Sequence, residues 1–283
     1  MKHFFLIANR QNESAKILMQ ETAELIRRDP SCSVKEDPGS GPDGHTDPAD
    51  VPSDTEGVIV FGGDGTIIRA VRDLKPLALP LIGVNAGTLG YLAETDPGSI
   101  ADMVARLKND RFFIEERMML RGQILKAGAE SDAPAYEDTG LNDVVLSGAD
   151  GTRVVSFSVY VDGEFLKSYV ADGLILATPT GSTAYNLSAG GPIVMPSAEM
   201  LLLTPLNAHT FMSRTIVLPG DCTVTVELAG KSGTNALVHF DGAVYPDLYP
   251  GDRVCIRRAD EHARLIRLNR DSFTEILRKK LEN

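Results

Sequence analysis

Residues 57–69 read GVIVFGGDGTIIR, a run that joins a short apolar segment to a turn containing three glycines. The four residues from Val58 to Phe61 are all apolar and predict a buried strand. The glycines surround a single carboxylate, Asp64, and Thr66 then opens a segment with helical character. Glycines let the backbone come close to an anion, and free N–H groups at a helix start point towards it. The run therefore predicts a phosphate-binding loop made of Gly62, Gly63, Gly65 and Thr66.

Asp64 is the unusual member of this loop, because a carboxylate repels phosphate. Its presence is explained if it acts on a substrate hydroxyl or helps to hold a metal ion. The alternative is an ordinary strand-to-helix turn in which Asp64 and Thr66 cap the helix. The loop alone leaves both interpretations open.

The whole sequence limits the classes of function. Its 283 residues suffice for one large domain or two ordinary ones. No apolar run is long enough to span a membrane and no signal-peptide pattern is present, so we expect no membrane partner. The three cysteines are widely separated and odd in number, which predicts reduced thiols in the cytoplasm. A net charge of −11 disfavours nucleic acid as a partner. An anionic substrate would need local backbone donors and Mg²⁺.

The first 112 residues alternate between strand and helix patterns. Apolar strands are predicted at 4–9, 58–61 and 80–85, and helices follow each of them, the first capped by Ser14. This order predicts an α/β domain with a parallel, Rossmann-like sheet. The glycine turns at 62–66 and 86–91 then fall on the carboxyl edge of that sheet, where ligands bind. The segment 36–56, rich in Pro, Gly and Asp, is predicted to be a surface loop and is assigned no function.

The pattern changes near residue 112 to short strands separated by turns. Strands are predicted at 120–126, 143–147, 154–162, 174–178, 215–218, 223–228, 237–240 and 253–256. Asp162-Gly163, Pro219-Gly220 and Asp241-Gly242 supply turns between strands. An amphipathic helix is predicted at the end of the chain. We therefore expect an α/β domain over 1–112, a β-rich domain over 113–262 and a C-terminal helix over 263–283.

A second candidate binding segment lies at 171–195, where hydroxyl and small side chains are dense. Such a run can wrap a polar ligand, and Tyr185 can stack on a flat ring. A strand followed by a capped helix start explains the same run without a ligand. Asn142 and Asp143, just ahead of an apolar strand, can hydrogen-bond a nucleoside or simply form a turn.

Taken together, these residues resemble the NAD kinases of bacterial type. The resemblance is carried by Gly62-Gly63-Asp64-Gly65-Thr66, by Asn85-x-Gly87-x-Leu89-Gly90-Tyr91, by Asn142-Asp143 and above all by the run from Asp172 to Pro192. It covers residues from about 57 to the end of the chain. The glycine loop alone is shared with lipid kinases, whereas the 172–192 run is specific to this family.

The resemblance implies transfer of a phosphoryl group from ATP or polyphosphate to the 2′-hydroxyl of the adenosine ribose of NAD. It implies that Asp64 is catalytic, that Mg²⁺ is needed and that the final helix packs back on the first domain. It also implies a homodimer or homotetramer. The residues expected to contact NAD are Asp64, Gly65, Asn142, Asp143, Arg153, Asp172, Thr183, Ala184, Tyr185, Asn186, Leu187 and Ser188. No protein ligand of a metal is assigned. The competing hypotheses are a lipid kinase that shares the glycine loop and a non-catalytic nucleotide-binding module.

Overall fold

The computed structural model describes residues 1–87, 90–129, 133–149, 154–209, 214–230, 235–269 and 273–282. The chain divides into two units. Unit 1 consists of Met1–Arg117 together with the residues from His262 onward, and unit 2 consists of Met118–Glu261. Unit 2 is therefore inserted, in sequence, between the two segments that form unit 1.

Unit 1 begins with alternating strands and helices, as the sequence predicts. In chain order these are β1 (His3–Ala8), α1 (Glu13–Arg27), β2 (Ser33–Glu36), β3 (Gly57–Gly62), α2 (Asp64–Asp73), β4 (Leu81–Asn85) and α3 (Ile100–Lys108). β1 pairs with β2 and β3, and β3 pairs with β4, in parallel throughout. The α/β class with a parallel sheet is thereby confirmed.

Helices cover both faces of this sheet. Phe4, Leu6, Ile59 and Phe61 share one core cluster with residues of α1 and α3. On the other face, a Cβ built at Gly83 of β4 would lie 2.4 Å from a methyl group of Ile67 in α2, so only glycine permits this approach. All residues of β3 are buried, which explains why its sequence is continuously apolar.

Unit 2 is rich in strands. The strand β5 (Phe113–Leu125) leads into it, and β16 (Arg253–Arg267) leads back to unit 1. Between them lie β6 (Tyr136–Gly140), β7 (Asp143–Gly148), β8 (Val155–Val161), β9 (Glu164–Ala171), β10 (Gly173–Ala177), α4 (Tyr185–Ser188), β11 (Met200–Leu206), β12 (Ile216–Pro219), β13 (Val224–Ala229), β14 (Ala236–Phe240) and β15 (Ala243–Leu248). The chain ends with α5 (Phe273–Leu281).

The strands of unit 2 pair in antiparallel fashion around one core. One sheet has the order β12-β11-β10-β7-β14-β15. The other strands pair as β16 with β13, β13 with β8, β8 with β9, and β5 with β6. Alternate residues of both sets, such as Val144 and Leu146 of β7 and Phe157 and Val159 of β8, share a single apolar cluster. This is the β-rich C-terminal region that the period-two pattern predicts.

Several element boundaries differ from the predictions. Asn12 caps α1 in place of Ser14, since its side chain accepts the N–H of Ala15 at 3.2 Å. α2 begins at Asp64, two residues before Thr66. β16 continues to Arg267, so the helix expected over 263–283 occupies only Phe273–Leu281. β2, β6, β9, β11 and β15 were not predicted as strands.

The segment between β2 and β3 contains two short 3₁₀ turns, Pro42–Gly44 and Pro48–Asp50. Its contacts reach α2, where Asp73 accepts the N–H of Thr46 at 3.0 Å and lies 2.8 Å from the His45 ring nitrogen Nδ1. Within the described ranges, no helix is both long and apolar enough to cross a membrane.

Candidate active site

In unit 1, the Asp64 carboxylate is held by the second glycine turn. Asp64 is the first residue of α2, directly after the carboxyl end of β3. Its Oδ2 accepts the backbone N–H of Tyr91 at 2.7 Å, and its Oδ1 accepts that of Leu92 at 3.0 Å. A carboxylate oxygen has two lone-pair positions, so each oxygen can accept a further hydrogen bond. The carboxylate is thus oriented by the chain and still able to meet a substrate hydroxyl.

The glycines of the first loop differ in what they do. A Cβ at Gly62 would lie 2.4 Å from the Thr66 hydroxyl oxygen, so this glycine is required for internal packing. A Cβ at Gly63 or Gly65 would meet no atom of the part of the chain that the structure describes within 4 Å, and neither residue has a left-handed backbone. Nothing within the described chain therefore requires glycine at these two positions. The open space beside them is available for the close approach of a ligand.

The loop that holds Asp64 is supported by a buried ionic network. Arg267 donates through Nη1 to the carbonyl oxygen of Leu92 and to Glu94 Oε2, both at 3.1 Å, and through Nε to Glu115 at 2.7 Å. Glu94 in turn accepts the backbone N–H of Leu268 at 2.8 Å. Burial favours a raised pKa for Glu115, but the guanidiniums of Arg117 and Arg267 outweigh it and lower that pKa. The network fixes the 92–94 backbone to the end of β16.

The helix α5 contacts the same loop. The ring of Phe273 lies 5.9 Å from the ring of Tyr91, and the Lys280 ammonium lies 4.4 Å from the centre of the Tyr91 ring. Burial, together with the negative charge of Asp64, raises the pKa of the Tyr91 hydroxyl. Tyr91 therefore links α5 to the carboxylate through its ring and its backbone N–H.

In unit 2, a cavity of about 470 Å³ collects several of the predicted residues. It is lined by Asn142, Asp143, Val145, Ser147, Ala184, Tyr185, His239, Asp241 and Gly242. Asp143, Val145 and Ser147 alternate along β7 and so present one face of that strand. Asn142, Asp143, Ala184 and Tyr185 of the predicted set thus lie around one space.

Asp241 organises this cavity, a role that the sequence analysis missed. Its carboxylate accepts the backbone N–H groups of Leu141 at 2.6 Å, Asn142 at 2.8 Å and Asp143 at 3.1 Å. Asp241 and Gly242 both have positive φ values, 47° and 85°, which close the β14–β15 hairpin that the Asp-Gly pair predicts. The turn residue is therefore also the anchor of the Asn142–Asp143 segment.

The Asp143 carboxyl is buried, with 6% of the residue exposed. Burial and the nearby charge of Asp241 raise the pKa of Asp143 to about 7. Near neutral pH this side chain therefore exists in both the neutral and the ionised form. It can donate or accept a hydrogen bond within the cavity.

His239 also lines the cavity, although the sequence analysis treated it as an ordinary histidine. Its Nε2 lies 3.2 Å from the Ser147 hydroxyl oxygen, and burial lowers its pKa. Its strand, β14, buries Val238 and Phe240 in the core on the opposite face. The period-two pattern of β14 is the signal from which its position could have been found.

Other residues predicted to contact NAD do not line this cavity. Asn186 is fully buried, and its amide donates to the carbonyl oxygens of Ser182 and Pro192 and accepts from the Thr204 hydroxyl at 2.7 Å. Its side chain therefore holds the 182–192 backbone together. Four further predicted residues are partly or fully exposed outside the cavity lining: Asp172, Thr183, Leu187 and Ser188. Arg153 lies outside the described residues.

Two family models match the chain. Residues 48–112 match the N-terminal domain of ATP-NAD kinases, and residues 141–268 match the C-terminal domain. The chain is 41% identical over 288 residues to the NAD kinase of Agathobacter rectalis, with 100% of this chain and 99% of that protein covered. It is 37% identical over 283 residues to the NAD kinase of Lachnoclostridium phytofermentans, with 99% of each covered.

Solved structures share the fold. Yeast NADH kinase complexed with NADH matches with a TM-score of 0.89 at 23% identity, covering 100% of this chain and 88% of that one. An NAD kinase from Archaeoglobus fulgidus in complex with ATP matches with a TM-score of 0.74 at 21% identity, covering 99% and 98%. At these identities the two structures show the fold alone.

Proposed function

The chain belongs to the NAD kinase family, and from this we propose that it transfers the terminal phosphoryl group of ATP to the 2′-hydroxyl of the adenosine ribose of NAD, giving NADP. The observation that carries the assignment of roles is the Asp64 carboxylate, held by the Tyr91 and Leu92 N–H groups at the end of a glycine loop with open space beside it. A fixed acceptor next to an open loop is the arrangement that hydroxyl phosphorylation needs.

In the reaction, the 2′-oxygen of NAD forms a bond to the terminal phosphorus while the bond from that phosphorus to the bridging oxygen breaks. The proton of the hydroxyl passes to Asp64 or to solvent, and ADP leaves. Phosphoryl transfer proceeds through a loose transition state, so positioning and charge neutralisation supply most of the catalysis. Asp64 need not remove the proton early; orienting the hydroxyl and accepting its proton late suffice.

We assign the unit 2 cavity to the adenosine part of NAD. Tyr185, 48% exposed at the cavity wall, offers a ring on which a purine can stack. Asn142 and Asp143 offer an amide and a carboxyl for nucleoside hydroxyls or ring edges. The raised pKa of Asp143 lets that side chain donate as well as accept, which suits a ribose hydroxyl.

Mg²⁺ is proposed to enter with the donor. The described residues contain no group of three or more His, Cys, Asp or Glu side chains able to hold a metal ion. Mg²⁺ commonly binds through substrate phosphates with only one or two carboxylates, and Asp64 is a carboxylate that could contribute here. The ion would neutralise charge on the phosphates. We expect turnover to be lost in EDTA and restored by excess Mg²⁺, and full turnover in EDTA would contradict the requirement.

Substitution of Asp64 by asparagine tests the catalytic assignment. Removing a general base typically lowers turnover by about 10²–10⁴-fold. We therefore expect kcat to fall in that range while the KM for NAD changes little, measured by coupling NADP formation to an NADP-dependent dehydrogenase. Asp102→Asn, which alters a 70%-exposed side chain of α3, is the matched control and should leave both constants unchanged. An equal loss of NAD binding and turnover would make Asp64 a binding residue.

The same assay separates the competing functions. A lipid kinase would phosphorylate diacylglycerol in preference to NAD, and a nucleotide-binding module would show no turnover. Polyphosphate in place of ATP tests the alternative donor. We also expect a homodimer or homotetramer, as the family resemblance implies, and a cytoplasmic location, as the odd number of widely separated cysteines indicates. Light scattering after gel filtration measures the first and cell fractionation the second.

A further inference from the structure

The unit 2 cavity has a second polar end, which is formed by Ser147 and His239. Asp143, Val145 and Ser147 share one face of β7, and the four-residue step from Asp143 to Ser147 spans about 13 Å along the strand. His239 of β14 pairs with Val145, and its Nε2 lies 3.2 Å from the Ser147 hydroxyl oxygen. Both side chains are half-buried. The cavity is therefore long, with one polar group at each end.

The residues assigned above to adenosine lie at the opposite end. Asn142 directly precedes Asp143, and its carbonyl oxygen accepts the N–H of Thr178 at 2.8 Å, which ties the segment leading to Tyr185 to this end. Between the two ends the floor of the cavity is apolar, since it is formed by the buried side chain of Val145. An adenosine bound at the Asn142 end thus leaves the far end for another part of the same ligand.

The His239–Ser147 pair offers both a donor and an acceptor. Within the part of unit 2 that the structure describes, the two side chains make no other hydrogen bond. If the Ser147 hydroxyl donates to Nε2, then Nδ1–H remains a donor and the hydroxyl oxygen an acceptor. If Nε2–H donates instead, then Nδ1 is an acceptor and the hydroxyl a donor. In either tautomer the pair suits a group that both donates and accepts.

The charges around this end favour a group that is not anionic. Burial lowers the pKa of His239, so its ring is neutral near pH 7. The described lining contains two carboxyl side chains, Asp143 and Asp241, and neither lysine nor arginine. A bound anion would face these carboxyl groups with no cation to offset them, and like charges placed together disfavour binding.

We propose that His239 and Ser147 bind the nicotinamide riboside end of NAD, through the carboxamide of the ring or the hydroxyls of the second ribose. The proposal rests on the kinase function proposed above. Both candidate groups are neutral, and each donates and accepts hydrogen bonds. The ring of oxidised NAD carries a positive charge, which the carboxyl groups of the lining do not oppose. The pair would therefore select the complete dinucleotide over ligands that contain adenosine alone.

Steady-state kinetics of His239→Ala and Ser147→Ala test this assignment. We expect the KM for NAD to rise about tenfold in each variant, the loss of about one hydrogen bond. The kcat should stay within about twofold of wild type, because the contact is the same in the ground state and the transition state. His239→Gln keeps a donor and an acceptor and should recover most of the affinity. His262→Ala removes an exposed histidine of β16 and is the matched control.

Calorimetric titration with NAD and with adenosine monophosphate measures binding without turnover. Both alanine variants should bind NAD about tenfold more weakly and keep wild-type affinity for adenosine monophosphate, which reaches only the Asn142 end. An equal loss for the two ligands would mean that the substitutions disturb the whole cavity, and it would overturn the proposal. Unchanged NAD binding and unchanged KM in folded variants would do the same.

Two analogues identify the bound group, with ADP formation measured by chromatography. In nicotinic acid adenine dinucleotide a carboxylate, which cannot donate, replaces the carboxamide. If the carboxamide is bound, wild type should prefer NAD over this analogue by about tenfold or more in kcat/KM, and both variants should reduce the preference. If the second ribose is bound, the variants should lose as much activity with ADP-ribose, which lacks the ring, as with NAD. A loss for NAD that alters neither comparison would refute the assignment.

The kinase function and the His239–Ser147 site can fail separately. Absence of NADP formation by the wild-type protein would refute the kinase function, and the titrations with NAD and adenosine monophosphate would still test the site. Normal turnover by wild type with wild-type NAD kinetics in both alanine variants would refute the site alone.

Discussion

Replacing Gly90 by alanine tests whether the position of the Asp64 carboxylate controls turnover. A Cβ at this position would lie 1.9 Å from Asp64 Oδ1 and 2.5 Å from its Cγ, far inside van der Waals contact. The φ value of Gly90 is outside the left-handed region, so the backbone itself accepts alanine. The side chain of Asp64 must therefore move, and its bonds to the N–H groups of Tyr91 and Leu92 must lengthen or break.

The size of the effect follows from this displacement. The new Cβ at residue 90 and the Asp64 carboxylate can reach van der Waals contact only if the carboxylate moves by more than about an ångström. A misplacement of about 1 Å can lower the rate about 10²-fold. We expect kcat to fall by about that factor with the KM for NAD little changed. Overpacking of this kind costs typically about 1–3 kcal/mol of stability, so the protein should still fold.

The coupled NADP assay measures the rate, and a thermal melt measures the folded state. Gly87→Ala is the matched control, because a Cβ there meets no atom of the described residues within 4 Å and its φ is also outside the left-handed region. The control should retain wild-type kcat. A Gly90→Ala protein that is folded and has kcat within about twofold of wild type would show that this turn does not position a catalytic carboxylate at Asp64.

Three further predictions follow from the ionic groups. Because the pKa of Asp143 is raised in the folded state, from 3.8 to about 7, its contribution favours the folded protein at low pH and weakens as pH rises through that window. The free energy of unfolding should fall there by at most about 1.4 kcal/mol per pH unit, and urea titrations of Asp143→Asn should show a smaller slope. Asp241→Asn removes a charged acceptor of three backbone N–H groups, each of which contributes about 1.5–3 kcal/mol. We therefore expect the KM for NAD to rise about tenfold or more in the coupled assay. An unchanged KM would show that Asp241 does not support NAD binding. Arg267→Met leaves Glu94 and Glu115 without their shared cation and should lower the unfolding free energy by about 3–5 kcal/mol in urea titrations, whereas a loss below about 1 kcal/mol would show that the network does not stabilise unit 1.

The sequence predicted those strands, turns and helices that are determined by residues close together in the chain. The apolar run of β3, the three glycines after it and the helix start at α2 lie within one short segment, so their periodicity and turn residues were enough. β9, β11 and β15 were missed for identifiable reasons. β9 exposes Phe165 and Val170, so it lacks a clean alternation, and β11 and β15 contain Pro205 and Pro246, which argue against strands in a sequence.

The parts of the site that could not be predicted depend on partners distant in sequence. Asp64 is held by N–H groups 27 and 28 residues away, and the Asn142–Asp143 segment is held by Asp241, about 100 residues away. The hydroxyl-rich run at 171–195 suggested ligand contacts throughout, yet Asn186 within it serves internal hydrogen bonds. A polar pattern does not reveal whether its residues face a ligand or each other.

The division of unit 1 into two segments has a consequence for the order in which the enzyme is made. A ribosome synthesises the glycine loop early but delivers Arg267 and Phe273 only after all of Met118–Glu261. At about 5–20 residues per second, the nascent glycine loop waits on the order of ten seconds or more for these supports. During translation, Asp64 exists without the groups that fix the loop around it. A chain whose synthesis ends before residue 262 would therefore contain Asp64, the proposed catalytic carboxylate, without the groups that align it, and activity should appear only once residues 262–282 have been made.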